Sequence, residues 1–395
     1  MSWLKQIVSV TTMNLKSMPQ RLAASVVAII GVGAVVGVFA GVLSMASGFE
    51  KTMLAAGSES TAIVIRAGSS SELSSGISND QVQIIADAPG VLRNETGPIT
   101  SAELYVLVDI PKKSNNQAGN VPLRGVQAGA FSVRDNISML EGRKFEPGKN
   151  ELVVGRAARQ TFAGLDVGSI VPTGQTEWTV VGVFEDDGSV SESELWTDVR
   201  VIQSVYRRGN SFQSVRVKLE SPDAIDRFDQ SLKADPRIDV DVHSEKAFYS
   251  QQSENLASFI RVVGYPLTFL MAIGAIFGAL NTMYSSVSAR GKEIATLRAL
   301  GFGPLSILTS TIIESATLAV LGGALGGGLA WIFLNGYTVT TLNGASFSQV
   351  VFDFAVSPDL LFQGLIAAVI IGLVGGLFPA IRAVRIPVSV ALREL

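Results

Sequence analysis

Residues 22–47 read LAASVVAIIGVGAVVGVFAGVLSMAS, a run of 26 residues without a charged side chain. A helix needs about 20 mostly apolar residues to cross a hydrocarbon core of roughly 30 Å. This run therefore predicts a membrane span. The apolar region of a cleavable signal peptide is only about 7–15 residues long, so we expect the segment to be retained as an anchor.

Three further segments have the same character, at residues 262–283, 305–334 and 360–381. The third span contains one charged side chain, Glu314. The fold class predicted is a membrane protein with four transmembrane α-helices. A large α+β extracytoplasmic domain is inserted between helices 1 and 2.

The charges divide the chain in the same way. Overall 47% of its residues are apolar and 16% are charged, against about 25% charged in an average soluble domain. Residues 50–254 carry 29 acidic and 21 basic side chains, whereas the rest carry 5 acidic and 10 basic ones. An acidic, soluble-looking segment therefore interrupts a basic and very apolar protein.

Basic residues in short loops indicate the orientation, because Lys and Arg remain on the cytoplasmic side. Nine of them fall in three short segments, whereas residues 335–358 have none and carry Asp353. We therefore expect a multi-pass membrane protein with both termini cytoplasmic and residues 48–261 outside. The nine are Lys5, Lys16, Arg21, Arg290, Lys292, Arg298, Arg382, Arg385 and Arg393.

The predicted organisation follows from spans and orientation together. Its segments are a cytoplasmic N-terminal segment (1–21), the first span (22–47), the extracytoplasmic domain with a helical stalk (48–261), the second span (262–283), a cytoplasmic coupling helix (284–304), the third span (305–334), an extracytoplasmic loop (335–359), the fourth span (360–381) and a cytoplasmic tail (382–395).

Within the extracytoplasmic domain, short β-branched or aromatic stretches bounded by Gly, Pro or Asn predict strands. They are residues 61–66, 104–108, 121–126, 151–154, 178–184 and 214–219. Helices are predicted at residues 80–88 with Asn79 as N-cap, at 156–164, and at 222–234 with Ser221 as N-cap. Residues 69–78 and 111–120 are predicted as flexible loops.

The most specific segment is SARGKEIATLRALG at 288–301. Ile294, Leu297 and Leu300 recur every three residues, and Arg290 and Glu293 are spaced as a surface pair on a helix. Gly301 is suited to end the helix. This pattern predicts a short amphipathic helix, which either lies on anionic lipid or docks a cytoplasmic partner.

This string resembles the coupling segment of FtsX-like, MacB-type ABC permeases, the family of MacB, LolC and LolE. Residues 313–330, IESATLAVLGGALGGGLA, resemble the third span of that family. Residues 378–395 resemble its tail, with Pro379, Arg382, Arg385, Pro387, Ala391 and Leu392 at the usual places. The resemblance is strong over the membrane segments and covers the outer domain only in outline.

The resemblance implies a cytoplasmic ABC ATPase dimer as partner, with ATP and magnesium bound there, so this chain itself is expected to bind no cofactor. It also implies a second permease copy or paralogue, contact with membrane lipids, and an optional periplasmic adaptor and outer-membrane channel. No nucleic-acid partner is expected. The residues implied to couple to the ATPase are Arg290, Glu293, Ile294, Leu297, Arg298 and Gly301.

Two features of the third span remain. Placing the charge of Glu314 within the membrane costs free energy, so Glu314 is a candidate for a functional residue. It is expected either to bond within the bundle or to a basic loop residue, or to brace the coupling helix. The small residues Gly322, Gly323, Gly326 and Gly327 predict close helix packing, within the bundle or between protomers.

Catalysis by this chain is not expected. It has no cysteine and one histidine, His243, without a convincing catalytic partner. Gly-Lys pairs at 148–149 and 291–292 lack a phosphate-loop context, so we expect the ATPase on a separate subunit. The acidic residues between Glu185 and Asp198 fit no known calcium loop and are expected to form a solvated turn. We predict no catalytic and no metal site.

The leading functional hypothesis is the permease subunit of an ABC system whose outer domain moves when its partner hydrolyses ATP. That motion would export or extract an amphipathic substrate such as a drug, peptide, lipid or lipoprotein. The alternative is a non-transporting, FtsX-like signal transmitter that regulates a cell-wall hydrolase, although the outer domain here is larger than is typical of FtsX. A third alternative, a membrane-anchored adhesin or sensor without an ATPase, does not explain the coupling segment.

Orientation can be tested with single cysteines, because the chain has none of its own. In intact cells, Gln117→Cys and Gly344→Cys should react with a membrane-impermeant thiol reagent, and Lys292→Cys should react only after the membrane is opened. Labelling of the cysteine at 292 in intact cells would overturn the orientation.

Overall fold

The computed structural model describes residues 3–18, 22–95, 97–344 and 346–385. Four of its helices are long and apolar enough to cross a membrane, as the sequence predicts. Arg21 and the tail residues Pro387, Ala391, Leu392 and Arg393 lie outside the described residues.

The helices extend beyond the predicted spans at several ends. Their bounds are α1 Trp3–Ser17, α2 Leu22–Ala55, α3 Asn79–Asp87, α4 Ala130–Val133, α5 Arg156–Thr161, α6 Val199–Val205, α7 Ala224–Lys233, α8 Glu245–Ala289, α9 Gly291–Ala299, α10 Pro304–Leu334 and α11 Pro358–Arg385. The ends of α2 and α8 include most of the predicted helical stalk.

The strands are mostly short. Their bounds are β1 Thr61–Arg66, β2 Ile77–Ser78, β3 Arg93–Asn94, β4 Gly97–Pro98, β5 Thr100–Pro111, β6 Ala118–Val126, β7 Ser138–Gly142, β8 Glu151–Gly155, β9 Ile170–Thr173, β10 Thr176–Glu185, β11 Leu195–Asp198, β12 Ser211–Phe212, β13 Ser214–Lys218, β14 Val240–Ser244, β15 Thr338–Leu342 and β16 Gln349–Asp353.

Contacts divide the chain into two units. The membrane unit comprises residues 1–47, 259–337 and 354–395, and the outer unit comprises residues 48–258 and 338–353. The outer unit therefore includes β15 and β16 as well as the domain inserted between the first two spans.

Glycines on α10 allow close helix packing in the membrane unit. A Cβ at Gly326 would lie 2.0 Å from the carbonyl oxygen of Gly33 on α2. On the neighbouring face of α10, a Cβ at Gly323 would lie 2.7 Å from the Cβ of Ala368 on α11. Gly322 faces α2 and Gly327 faces Leu361 of α11. All four glycines thus serve contacts within the bundle.

The outer unit is built on a ten-stranded sheet. Its order is β14-β1-β13-β5-β6-β11-β8-β10-β7, with β9 paired to β10. The centre is the long hairpin of β5 and β6, which stay in register from Leu104 opposite Gly125 to Pro111 opposite Ala118. The prediction of a flexible loop at 111–120 is therefore wrong at both ends, because Pro111 belongs to β5 and residues 118–120 belong to β6.

Two apolar cores support this sheet. The larger one includes Trp178, which is fully buried and donates from Nε1 to Thr173 Oγ1 at 2.7 Å. The smaller one centres on Trp196, whose ring lies 4.7 Å from that of Phe184. Burying one large apolar side chain stabilises a fold by about 1.5–3 kcal/mol, so these residues contribute strongly to the order of the domain.

The segment predicted as a plain loop between the third and fourth spans contains a β-hairpin. β15 and β16 pair antiparallel, and Val351 joins the larger core of the outer unit. The backbone N–H of Val351 donates to Ser193 Oγ at 3.0 Å, and Lys112 Nζ donates to Thr340 Oγ1 at 2.9 Å. Val350, Val351 and Phe352 of β16 are buried within the outer unit, whereas Leu342 of β15 is exposed.

Three local predictions in this unit are wrong. The N-cap of α3 is Ser78, which forms a capping box with Gln81, because its side chain reaches the N3 backbone as Asn79 cannot. Helix α7 begins after Asp223, without a side-chain cap bond. Residues 69–78 include a turn of 3₁₀-helix at 72–74, because Glu72 is held there by buried arginines.

Glycine packing on α10 can be tested with one substitution and a matched control. Gly326→Ala should lower the thermal stability of the purified protein, because overpacking a tight contact costs about 1–3 kcal/mol. Gly328→Ala is the control, since a Cβ there would meet nothing within 4 Å. Equal melting temperatures for the two variants would contradict the packing described.

Candidate coupling site

The coupling segment forms a short helix between two spans. Helix α8 ends at Ala289, Arg290 occupies the N-cap of α9, and α9 ends at Ala299. Gly301 then adopts φ +92°, a conformation that glycine accepts without steric cost. Pro304 opens α10, where its missing N–H costs no helical bond.

Glu314 and Arg290 form a buried ion pair. The guanidinium of Arg290 donates to the Glu314 carboxylate, and each residue is only 3% exposed. Ser286 on α8 lies beside both, accepting from Arg290 at 3.3 Å. Glu314 on α10 is thus bonded to the residue that caps the coupling helix. Both bonding alternatives for Glu314 are observed, because it pairs with Arg290 and accepts from the hydroxyl of Ser286 on α8 at 3.5 Å. Its role as a brace for the coupling helix stays a prediction.

One face of α9 is packed against the bundle. Ile294 is buried with Val287 and Ile307, and Ala383 of α11 completes that apolar cluster. Arg298 is half-buried and donates from Nη1 to the carbonyl oxygen of Val384 at 2.9 Å. The ends of α8, α10 and α11 therefore hold the inner face of α9.

The other face of α9 is exposed. Lys292, Glu293, Thr296 and Ala299 are exposed, and Leu300 directly after the helix is 72% exposed. Their spacing of three and four residues places them on one side of the helix. Leu297, which the sequence predicts as a contact, is only partly exposed. We name the five exposed residues, without Leu297, the outer face of α9: Lys292, Glu293, Thr296, Ala299 and Leu300.

Helix α1 also contributes to this region, although it was not predicted from the sequence to do so. Gln6 Oε1 accepts from the backbone N–H of Gly303 at 3.2 Å and from Ser306 Oγ at 3.3 Å. Asn14 Nδ2 donates to Ser310 Oγ at 3.1 Å. Gln6, Val10 and Asn14 are spaced by four residues, which is the helical signal that could have identified this face.

A second constellation lies in the outer unit. Seven charged side chains from separate parts of the chain meet there, each no more than 9% exposed. Arg124 pairs with Glu72, Glu103 and Glu194, and Arg134 pairs with Glu103. Arg216 pairs with Glu72, Glu103 and Glu245. We name this set the buried charge cluster: Glu72, Glu103, Arg124, Arg134, Glu194, Arg216 and Glu245.

The arginines of this cluster keep two carboxylates ionised in spite of burial. Burial opposes ionisation at both, but Arg134, Arg216 and Arg124 lower the pKa of Glu103 to about 2. Arg124 and Arg216 likewise lower the pKa of Glu72. At Glu245 burial prevails over Arg216, and the pKa is raised. Removal from water therefore decides the direction of the pKa shift at Glu245, which pairs with fewer arginines than Glu72 or Glu103.

The prediction of a solvated turn at residues 185–198 is wrong. Asp186, Glu192, Glu194 and Asp198 are buried. Glu194 pairs with Arg124, and Glu192 accepts from Arg156 Nε at 2.9 Å and from the backbone N–H of Asp186. The carboxylates are buried because donors distant in sequence replace their water.

The described residues contain no group of three or more His, Asp or Glu side chains arranged to hold a metal ion. His243 lies on β14 beside the ring of Phe248, with 6.3 Å between ring centroids. The two charged sites described above, the pair of Arg290 and Glu314 and the buried charge cluster, consist of ion pairs.

Comparisons with known families cover both parts of the chain. Residues 25–235 match the family described as MacB-like periplasmic core domain. Residues 267–388 match the family described as FtsX-like permease C-terminal. The first match covers more than half of the chain, and the second contains the coupling segment and Glu314.

Individual relatives are distant. A macrolide export ATP-binding/permease protein MacB of Pasteurella multocida is 26% identical over 338 residues, which are 80% of this chain and 49% of the relative. An uncharacterised ABC transporter permease of Methanocaldococcus jannaschii is 23% identical over 224 residues, 55% of each chain. The chain spans about half the length of the curated relatives it matches.

Solved structures match part of this chain at low similarity. The periplasmic region of MacB from Actinobacillus actinomycetemcomitans is 15% identical with a TM-score of 0.37, covering 49% of this chain and 92% of that one. The extracellular domain of the transporter YknZ from Gram-positive bacteria is 17% identical with a TM-score of 0.36, covering 46% and 99%.

Proposed function

This chain belongs to the FtsX-like, MacB-type permease family, and from that premise we propose that it couples ATP hydrolysis on a cytoplasmic ATPase to motion of its outer domain. The ATPase docks on the outer face of α9. Helix α10 receives the movement through the ion pair of Arg290 and Glu314. The pair is the single observation that carries the proposal.

The ion pair suits this role because of where its partners lie. Arg290 immediately precedes α9, and Glu314 lies in the third turn of α10. A charge-assisted bond is directional as well as strong, so a tilt of α9 pulls on α10 at a defined point. Breaking it would leave a buried charge unpaired, at a cost of about 3–5 kcal/mol. The two helices therefore move together.

The outer face of α9 suits docking. It combines both charge signs with one exposed leucine, Leu300. A few apolar side chains seated in pockets carry most of the free energy of protein interfaces, and surrounding charges fix the orientation. Of the coupling residues predicted from sequence, Glu293 lies on this face, whereas Arg290, Ile294 and Arg298 support it from behind.

The remaining parts of the proposal concern substrate and partners. The Pasteurella multocida relative is named for macrolide export, which supports outward movement or extraction of an amphipathic substrate here. A second permease copy or a paralogue completes the assembly, since ABC ATPases act as dimers. We place the complex in the bacterial inner membrane with the outer unit outside, on the distribution of basic residues.

Docking can be tested at Leu300. The ATPase is first identified by co-purification with the full-length chain from its host, and its affinity for the chain in nanodiscs is then measured. Leu300→Ala should weaken binding by about tenfold or more, as truncation of an interface anchor costs about 2 kcal/mol. The melting temperature of the permease should stay unchanged, because the side chain is exposed.

Leu305→Ala is the matched control. Leu305 is 58% exposed and lies in the first turn of α10, outside the outer face of α9. If the segment only lies on lipid, the two variants should bind the ATPase equally well. That result would refute docking on this face.

A further inference from the structure

Arg216 forms hydrogen bonds with two side chains at the start of α8. Its Nε lies 3.1 Å from Glu245 Oε1, and its Nη2 donates to the hydroxyl of Tyr249 at 2.9 Å. Glu245 and Tyr249 are four residues apart on α8, so they lie on the same face of the helix. One guanidinium thus holds the first two turns of α8.

The same guanidinium is fixed on its other side by the sheet. Its Nη1 donates to Glu103 of β5 and to Glu72, the latter at 3.1 Å. Arg216 itself lies on β13 and is fully buried. Because the guanidinium is a rigid planar fork, partners on two of its sides fix its orientation, and the orientation of α8 follows.

Stability alone is a poor explanation for this arrangement. Buried ion pairs are often no more stabilising than apolar residues of similar volume, since desolvation offsets the attraction. Hydrogen bonds between charged groups have a preferred direction, and apolar contacts do not. The aromatic and apolar residues nearby, such as Phe248 and Met53, would permit α8 to slide or rotate.

We propose that Arg216 is a positioning residue that locks the rotation of the first turns of α8 relative to β13 and β5. It deepens the proposed function, because a helix that transmits movement must be fastened to the domain that it moves. The lock lies entirely within the outer unit and concerns residues 245–249 of a helix that continues to Ala289.

The lock can be tested by distance measurement in the full-length chain in nanodiscs. Spin labels are placed on Ser250→Cys of α8 and Arg66→Cys of β1, both exposed in the outer unit. Electron paramagnetic resonance should give one narrow distance distribution for this doubly labelled chain. Adding Glu245→Ala and Tyr249→Phe together should broaden the distribution or split it into two.

A matched control lies on the same turn of α8. Lys246 pairs with Glu59 at 2.7 Å, but both side chains are more than half exposed. Lys246→Ala removes this exposed link and should leave the distance distribution as narrow as in the parent. An exposed ion pair of this kind contributes little to the stability of a fold.

A distribution that stays narrow in the variant lacking both Glu245 and Tyr249 contacts would overturn the proposal, even if its melting temperature falls. If that variant does not fold, Tyr249→Phe alone decides, because it removes the hydroxyl that accepts from Arg216 and keeps the ring. It should broaden the distance distribution, and an unchanged distribution refutes the lock. The measurement contains no ATPase, so failure of docking at α9 and failure of the lock are separate results.

Discussion

A charge that leaves water must be compensated by an opposite charge or by hydrogen-bond donors, and both functional regions of this protein obey that constraint. In the membrane unit, Glu314 is tolerated because Arg290 meets it. In the outer unit, Arg216 and Arg124 meet carboxylates from distant parts of the chain. Two of these pairings lie at the start of a helix: Arg290 occupies the N-cap of α9, and Arg216 pairs with Glu245, the first residue of α8.

Helix packing supplies the rigidity that makes these pairings useful. Gly326 lets α10 lie against α2, and Gly323 lets it lie against α11. A Cβ at either place would clash with the facing helix and force the two helices apart. Without a hydrophobic driving force in lipid, such close contacts and a few polar bonds are what hold a bundle together. The bond from Ser315 Oγ to the carbonyl oxygen of Gly372, at 2.7 Å, is one of them.

Local features of the fold could be predicted from sequence, because they depend on short-range patterns. β1 occupies the predicted residues 61–66, and the part of the chain that the structure describes contains four helices long enough to span a membrane. Glu314 could be singled out because a carboxylate in an apolar run is conspicuous. Its partner could not be identified, since a hydrogen bond within the bundle and a pairing with a basic loop residue both remained open until the position of α9 was known.

Features that depend on contacts distant in sequence could not be predicted. Residues 69–78 and the acidic run at 185–198 look solvated, because polar composition alone resembles a loop. Glu72 and Glu194 are buried because Arg124, 52 and 70 residues away, binds both. Such pairs leave no periodic trace in a single sequence. Likewise, the partial burial of Leu297 and the exposure of Leu300 depend on which face of α9 meets the bundle.

The central claim is that the pair of Arg290 and Glu314 transmits motion and does not merely fill space. The most direct measurement compares Arg290→Met, Glu314→Met and the double variant for melting temperature and for ATPase stimulation in the assembled complex. Each single variant leaves an unpaired buried charge, so its melting temperature should fall and it should no longer stimulate the ATPase. The double variant should recover its melting temperature, because an apolar pair can replace a buried ion pair without loss of stability, yet still fail to stimulate the ATPase. Stimulation at the wild-type rate by the double variant would contradict the account.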